Sequence, residues 1–383
     1  MQPNMRSTAN GSGLYVHIPF CASKCAYCDF YSLPPRNEAT VDRYIASLHK
    51  ELELRAHAET STPWRTVYIG GGTPSMLNAR QLQALIGALG ERADGAEFTI
   101  EANPEDVDKE WLEQVEQLGV NRVSMGVQSF HDSELKAVGR RHTARRAVEA
   151  VELLAVAGME YSIDLIYGLP EQTNQSWKES LQMVARFKPP HFSAYMLSYE
   201  PGTRLHARLL AGKVVEATDD DLLARLDMLN NFASAGNYVH YEVSNFALPG
   251  HEAVHNSAYW DGTPYLGLGA GAHSFDGRER SFNPANVNRY IELLEDGRLP
   301  LSVEQETSKE RLNDLFISSL RTLNGLDPYR LDNFDHEIKA AAIKALGRQT
   351  MAGNIAVNHL GHYYIKPDLW PVSDHILRSL LLV

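Results

Sequence analysis

Apolar positions along the first 235 residues follow two alternating rhythms. Runs rich in β-branched and aromatic residues at positions 14–18, 66–69, 97–101, 122–127, 161–166 and 191–197 read as strands. Each is followed by apolar residues three and four apart, which mark one face of a helix. Val41, Tyr44, Ile45, Leu48 and Leu52 form the first such face, and Leu82, Leu85, Ile86 and Leu89 the second. Trp111, Leu112, Val115 and Leu118 form the third, stopped by Gly119. Ala147, Val148, Val151 and Leu154 form the fourth, with Thr143 as its N-cap. Trp177, Leu181 and Val184 mark the fifth, and Leu222, Leu223, Leu226, Leu229 and Phe232 the sixth. Strands end at breakers: Pro19, the Gly70-Gly71-Gly72-Thr73-Pro74 loop, Gly168-Leu169-Pro170 and Pro201-Gly202. Six strands alternating with six helices predict an α/β fold with a parallel sheet and helices outside it. A closed TIM barrel uses eight units, so the expectation is an open, partial (β/α)6 TIM-like barrel.

The rhythm breaks after Gly236. Residues 238–243 read as an edge or terminal strand, and residues 247–285, rich in Gly, Pro, His and aromatics, as long loops. Helical spacing returns with Leu312, Leu315, Phe316 and Leu320, then with Ile338, Ala341, Ala345 and Leu346. Residues 355–357 and 363–365 suggest a hairpin, and residues 375–382 a last helix. This order predicts a small C-terminal α+β domain of winged-helix-like form. The expected organisation is a disordered N-terminus over 1–13, a core with its following loop region over 14–300, and a C-terminal accessory domain over 301–383.

Charge narrows the partners. A formal net charge of −12 gives no reason to expect nucleic acid, despite the local cluster of Arg140, Arg141, Arg145 and Arg146. No apolar run is long enough to span a membrane, and the first dozen residues lack the apolar region of a secretory signal. With no framework for disulfides, a cytoplasmic location is expected.

The chemistry concentrates near the start. All three cysteines of this 383-residue chain, Cys21, Cys25 and Cys28, lie within eight residues, on the loop after the first strand. Thiolates hold iron–sulfur clusters, and three ligands to a four-iron cube leave one iron open to a second molecule. A structural zinc site usually takes four ligands in two pairs, and no second pair exists. Other unusual residues fall at the carboxyl ends of strands, where β/α sheets bind ligands. The glycine loop follows strand two, Glu101 and Asn103 end strand three, Gln128 ends strand four, Asp164 lies in strand five, and Ser198 and Tyr199 close strand six.

The CxxxCxxC spacing at the end of a first βα unit resembles the radical S-adenosylmethionine (SAM) superfamily. That resemblance implies a 4Fe–4S cluster on Cys21, Cys25 and Cys28, with the open iron chelated by the amino and carboxylate groups of SAM, whose reductive cleavage gives a 5′-deoxyadenosyl radical. The strings YVHIPFC, YIGGGTPS, GVQSF, DLIYGLPEQT and GLGAGAHSF, from Tyr15 to about Phe275, are similar to the coproporphyrinogen dehydrogenase group. Carried over by motif, Tyr15 and Tyr27 would flank the SAM site, and Gly71, Gly72, Thr73 and Glu101 would contact SAM. Gln128, Arg140 and Asp164 would line the same cavity.

Two departures point to a sister family, the HemW heme chaperones. The dehydrogenase motif continues CxxxCxxCxC, but Phe30 stands at the fourth position here, and Tyr15 lies too near the start for that group's N-terminal segment. The string HNSAYW, from His255 to Trp260, resembles the sister family's HNxxYW motif. It implies heme binding through His255, Asn256, Tyr259 and Trp260. On a helix His255 and Tyr259 would share a face, and imidazole is a common iron ligand. A histidine among aromatics is also a common packed core residue, and His273 is a rival ligand or a SAM-pocket residue, so both roles stand open at this level. The resemblance implies a protein that binds heme and passes it to apo-hemoproteins, including membrane-associated respiratory ones, and it leaves a homodimer open. The alternatives are oxygen-independent coproporphyrinogen III dehydrogenase, against which the departures speak, and a radical SAM enzyme with another substrate.

Overall fold

The computed structural model of the protein describes residues 11–59 and 63–382. Of the expected disordered start, residues 1–10 lie outside the described residues, and Gly13 already belongs to a strand. Strands β1 (Gly13–Ile18), β2 (Thr66–Gly71), β3 (Glu97–Ala102), β4 (Arg122–Gln128), β5 (Glu160–Tyr167) and β6 (His191–Met196) lie side by side, all parallel. Helices α1 (Glu38–Glu59), α2 (Ala79–Gly87), α3 (Lys109–Gln117), α4 (Asp132–Ala137), α5 (Ala144–Ala157) and α6 (Asn174–Phe187) run between them. After β6 come α7 (Arg204–Leu210) and α8 (Asp219–Ala235). Several helices start where their side chains predict. The Thr143 hydroxyl accepts from Arg146 N, and Thr173 and Asn78 form capping boxes with Ser176 and Gln81.

The sheet does not stop at six parallel strands. Strand β7 (Val239–Glu242) and β8 (Asn245–Ala247) add antiparallel beside β6, with β7 at the edge. Residues 247–285 are not long loops. They hold helix α9 (Val254–Asp261) and strands β9 (Tyr265–Leu268), β10 (His273–Phe275) and β11 (Arg280–Phe282). Strand β9 pairs parallel with β1 on the side away from β2, which makes a seventh parallel strand. These strands are only three or four residues long and interrupted by glycines, so they carry too little alternation to read locally. Their stability comes from pairing with distant β1. After α10 (Val287–Glu295), β12 (Ser302–Val303) closes that edge of the sheet, which remains an open twelve-stranded order and not a closed barrel.

The two faces of the parallel strands differ in kind. Leu14, Val16, Val67, Ile69, Phe98, Ile100, Val123, Met125, Ile163, Leu165 and Phe192 are buried under the outer helices in the main hydrophobic core. The alternate positions point to the other face and are mostly polar. Paired rows run Tyr68, Thr99, Arg122 and then Glu101, Ser124, Ser162, His191 across the register. An ordinary eight-stranded barrel packs branched apolar side chains there. A polar interior costs burial energy unless a ligand or a hydrogen-bond partner satisfies it.

Residues from Leu312 to Leu380 form a second hydrophobic cluster. It is built from α11 (Ser308–Ser319), α12 (His336–Met351), the hairpin β13 (Ile355–Val357) and β14 (Tyr363–Ile365), and α13 (Ser373–Arg378). Two helices followed by a two-stranded wing give it the winged-helix-like form. It joins the main sheet through the Leu323 N–H, which donates to Tyr241 O at 3.0 Å.

Candidate functional site

The cysteine loop is held from several sides. Cys21 N donates to Leu33 O at 3.1 Å, and Ala26 N donates to Val138 O at 2.8 Å. Ala26, Val138, Ile166 and Leu205 form a small hydrophobic cluster beneath it. The glycine loop crosses it directly: Gly72 N donates to Ile18 O and Thr73 N to Phe20 O, both at 2.8 Å. A Cβ on Gly72 would stand 2.5 Å from Phe20 O, so this crossing admits only glycine. Gly71 has φ of 111° and its N–H donates to Glu101 Oε2 at 2.9 Å.

These loops roof one cavity of about 420 Å³ inside the partial barrel. Cys21, Cys25, Tyr27, Cys28, Gly71, Gly72, Thr73, Glu101, Gln128, Arg140 and Asp164 all line it. Tyr15 does not. Its hydroxyl pairs with His17 Nδ1 at 2.9 Å and its ring stacks on Tyr68, one layer behind the lining. Sequence reasoning missed Arg122, Ser162, His191, Ser193 and Tyr195, which also line the cavity. The period of two along β4, β5 and β6 was the available signal, since each lies an even number of residues from a predicted lining residue or from another of these.

The cavity is electrostatically demanding. Burial pushes the Glu101 carboxyl up to about 7, against the opposing pull of the Tyr68 hydroxyl and the Gly71 N–H. Burial likewise pushes Asp164 up to about 6, opposed by a hydrogen bond from Ser193. Arg140 keeps its charge despite burial because Tyr27 and Cys25 stand beside it. Its Nη2 donates to Asn103 Oδ1 at 2.7 Å and Gly126 O at 2.6 Å, and its Nη1 to Cys25 Sγ at 3.5 Å. Burial raises the Cys21 and Cys28 thiols above their ordinary range. Gln128 adopts φ of 66°, beside a register shift between β4 and β5. Such strain in a non-glycine residue, at a bulge beside a cavity, marks a side chain re-aimed for use.

Polar atoms in this cavity lack protein partners. Gln128 Oε1, Asp164 Oδ1 and Arg122 Nη2 line it, are buried and make no hydrogen bond. Buried polar groups are nearly always satisfied, so this lining is shaped for a ligand with both donors and acceptors.

Comparison with known proteins now decides the family. The family model described as the radical SAM superfamily matches residues 15–184. The chain is 36% identical over 339 residues to the heme chaperone HemW of Lactococcus lactis subsp. lactis (strain IL1403), covering 88% of this chain and 87% of that one. It is 35% identical over 376 residues to the heme chaperone HemW of Haemophilus influenzae (strain ATCC 51907 / DSM 11121 / KW20 / Rd), covering 94% of each. The chain belongs to the HemW family. The solved structure of coproporphyrinogen III oxidase (HemN) from Escherichia coli, a radical SAM enzyme, superposes with a TM-score of 0.81 at 24% identity. That superposition covers 97% of this chain and 90% of that one and establishes the radical SAM fold.

The radical SAM superfamily implies a 4Fe–4S cluster and SAM, and the residues of this HemW-family chain fit both. All three thiols are free and share one cavity wall. Among the described residues no three His, Cys, Asp or Glu side chains converge as ligands to a single ion. A four-iron cube instead takes one thiolate per iron, so its ligands surround a group and not a point. The partnerless amide and carboxylate oxygens match the amino and hydroxyl donors of SAM.

The HNSAYW segment is helical, as α9, but its histidine is not open. His255 is buried; its Nδ1 bonds Thr66 Oγ1 at 2.8 Å and its Nε2 bonds Tyr259 OH at 2.9 Å. Its ring stacks on Tyr68 at 4.9 Å, and burial, then Arg122, drop its pKa to about 3. Both nitrogens are spent, so in this conformation His255 is the packed, hydrogen-bonded core residue. Asn256 lines the cysteine-lined cavity, Tyr259 lines a different cavity, and Trp260 packs under the Arg321 guanidinium at 5.6 Å. His273 is exposed on β10, stacked on Phe282, and lines neither cavity. The GLGAGAHSF string is a structural knot. Glu51 Oε2 accepts from Gly269 N at 2.9 Å, and a Cβ on Gly267 would overlap His273 O.

Proposed function

We propose that this chain is a heme chaperone: it binds heme and passes it to apo-hemoproteins, on a radical SAM core. Cys21, Cys25 and Cys28 hold the 4Fe–4S cluster. Gly71, Gly72 and Thr73 shape the SAM site, and Glu101 offers its carboxylate to the N–H donors of the SAM amino group. Gln128 and Asp164 face the rest of SAM, Arg140 holds positive charge beside the thiolates, and Tyr27 walls the roof. Tyr15 flanks the site indirectly, by backing Tyr68. When bound, the cluster supplies an electron and SAM the adenosyl group.

The observation that carries this reading is a polar barrel interior with all three thiols at its mouth, in a chain that aligns with relatives named heme chaperones over most of their length. Residues 301–383 form the accessory domain, supported by their separate hydrophobic cluster. Free thiols agree with a cytoplasmic location, and no described helix is long and apolar enough to cross a membrane. The acceptors of this reading are respiratory hemoproteins, some at the membrane, met by a monomer or a homodimer.

The test is anaerobic reconstitution followed by titration with heme under ultraviolet–visible light. Cluster absorbance, a saturable Soret band and loss of that band to an added apo-hemoprotein are expected. Conversion of coproporphyrinogen to protoporphyrinogen, with reductant and SAM, would overturn the reading in favour of the dehydrogenase. Replacing all three cysteines by alanine should abolish cluster iron, measured by iron analysis, and leave heme binding intact.

A further inference from the structure

A second cavity of about 610 Å³ lies away from the cysteines, between the main sheet and the C-terminal cluster. Helix α9 and strands β9 to β11 form one wall, and α11 with the turn through Asn333 and Phe334 forms the other. Clefts between structural units are common ligand sites, and this volume suits a ligand of cofactor size.

Its lining combines two chemistries. Tyr259, Tyr265, Phe275 and Phe334 supply flat aromatic surface. The Tyr259 and Tyr265 rings meet edge to face at 4.8 Å, so one of the pair leaves a planar wall. Four arginines also line it. Arg280 is already paired, with Asp314 at 2.9 Å and Glu306 at 3.3 Å. The other three are not. Arg330 donates only to the Ser319 hydroxyl at 3.1 Å, and Arg311 only to the Ser308 hydroxyl at 3.1 Å. Arg311 Nε is buried with no partner at all. Arg278 makes no side-chain hydrogen bond or ion pair among the described residues and stands exposed at the rim. Asp261 and Asp327 act on Arg330 through space without bonding it. Guanidinium groups with no carboxylate within ion-pair distance, beside aromatic faces, describe a receptor for a flat ligand carrying carboxylates.

We infer that this cavity is where the chain holds its cargo: the heme macrocycle lies against Tyr259, Tyr265 and Phe334, and its two propionates meet Arg311 and Arg330, with Arg278 at the rim. The inference deepens the chaperone reading and rests on it. It also gives HNSAYW a part that His255 alone does not explain. His255 anchors the Tyr259 hydroxyl from behind, and Tyr259 presents its ring to the cavity. His255 is thus a positioning residue for the wall and not the iron ligand. Cargo and cysteines occupy different cavities, so heme can enter and leave without displacing SAM.

The test titrates the reconstituted full chain with heme and, separately, with heme dimethyl ester, which has the same ring but no carboxylates. Arg311→Gln and Arg330→Gln should each weaken heme binding by roughly tenfold to a hundredfold, the usual worth of a charge-assisted hydrogen bond. Arg278→Gln, an exposed change with no folding risk, should weaken it by about threefold to tenfold. None should alter affinity for the ester, and all should load the cluster and bind SAM normally, which certifies the fold. The assignment is overturned if all three variants titrate within twofold of the parent, or if acid and ester lose affinity alike. It is also overturned if the triple cysteine variant loses the Soret band. If the parent chain itself gives no saturable Soret band, the chaperone reading fails, and that outcome is distinct from loss of the site alone.

Discussion

At the scale of single residues, Glu101 sets the clearest constraint. Its carboxyl is buried and pushed up to about 7, with Tyr68 OH at 2.8 Å and Gly71 N at 2.9 Å as partners. Between its ordinary 4.5 and about 7 the folded chain keeps a proton that the unfolded chain has lost. Stability from this group therefore falls as pH rises through that window, and the loss is complete above it. Holding the carboxylate ionised there costs on the order of 3 kcal/mol, which the N–H donors of bound SAM offset. Two results follow. The Tm of Glu101→Gln relative to the parent should rise from pH 5 to pH 8 in thermal scans of the SAM-free protein. SAM affinity of the parent, measured by calorimetry, should increase as pH passes 7, while the variant binds weakly and without that dependence. His255 makes a different prediction. Replacing it by alanine removes two buried hydrogen bonds and a stacked ring, so it should cost about 2–4 kcal/mol in denaturant unfolding. The spectrum of any heme still bound should keep its band positions, because the imidazole nitrogens face Thr66 and Tyr259 and not the cargo.

At the scale of elements, the loop crossing and α9 decide the site. The glycine loop sits on the cysteine loop because Gly72 has no Cβ to strike Phe20 O. Gly72→Ala must push the two loops apart by several tenths of an ångström. It should cost about 1–3 kcal/mol and lower the iron retained after reconstitution, with SAM binding falling in step. Helix α9 owes its place to Glu97, whose two carboxylate oxygens accept from Val254 N at 2.9 Å and His255 N at 2.8 Å. A carboxylate at a helix N-terminus satisfies orphan N–H groups and favours the dipole. Glu97→Ala should cost about 1–2 kcal/mol and weaken heme binding by loosening the wall that carries Tyr259. The motif strings divide along the same line. Thr73, Glu101 and Gln128 reach the cavity, whereas Ser129 of GVQSF and Gln172 of GLPEQT are tied to buried Glu134 at 2.6 and 3.1 Å. Those two residues hold the turns and touch no ligand cavity.

At the scale of the whole molecule, the two cavities lie in different structural environments. The thiol-lined cavity is enclosed by the carboxyl ends of the parallel strands, and the arginine-lined one bridges the sheet and the C-terminal cluster. Hydrogen exchange should therefore give two footprints. SAM should slow amides in residues 70–74 and 101–104 and around Cys21–Cys28, and heme should slow α9, β9, β10 and the first turns of α11. A single shared footprint would contradict the separation.

What the amino-acid order determined by itself was whatever depends on near neighbours. The cysteine spacing, the βα alternation over six units, the N-cap at Thr143, the strand-end positions of Glu101 and Gln128 and the place of Asp164 within strand five are all local patterns, and the structure realises each. Phe30, 69% exposed at the cavity mouth, separates two families by its identity alone. Three features only the tertiary structure decided. Strand β9 exists because β1 offers it an edge more than two hundred residues away in sequence. His255 is a buried scaffold because Thr66, Tyr68 and Tyr259 arrive from separate elements to consume its ring. The arginine cavity appears only when α9, β9 to β11 and α11 meet, and whether a guanidinium is paired depends on which carboxylates the fold leaves within reach. Pairing across long separations has no period to read, and that is the physical reason this half of the protein stayed hidden in its sequence.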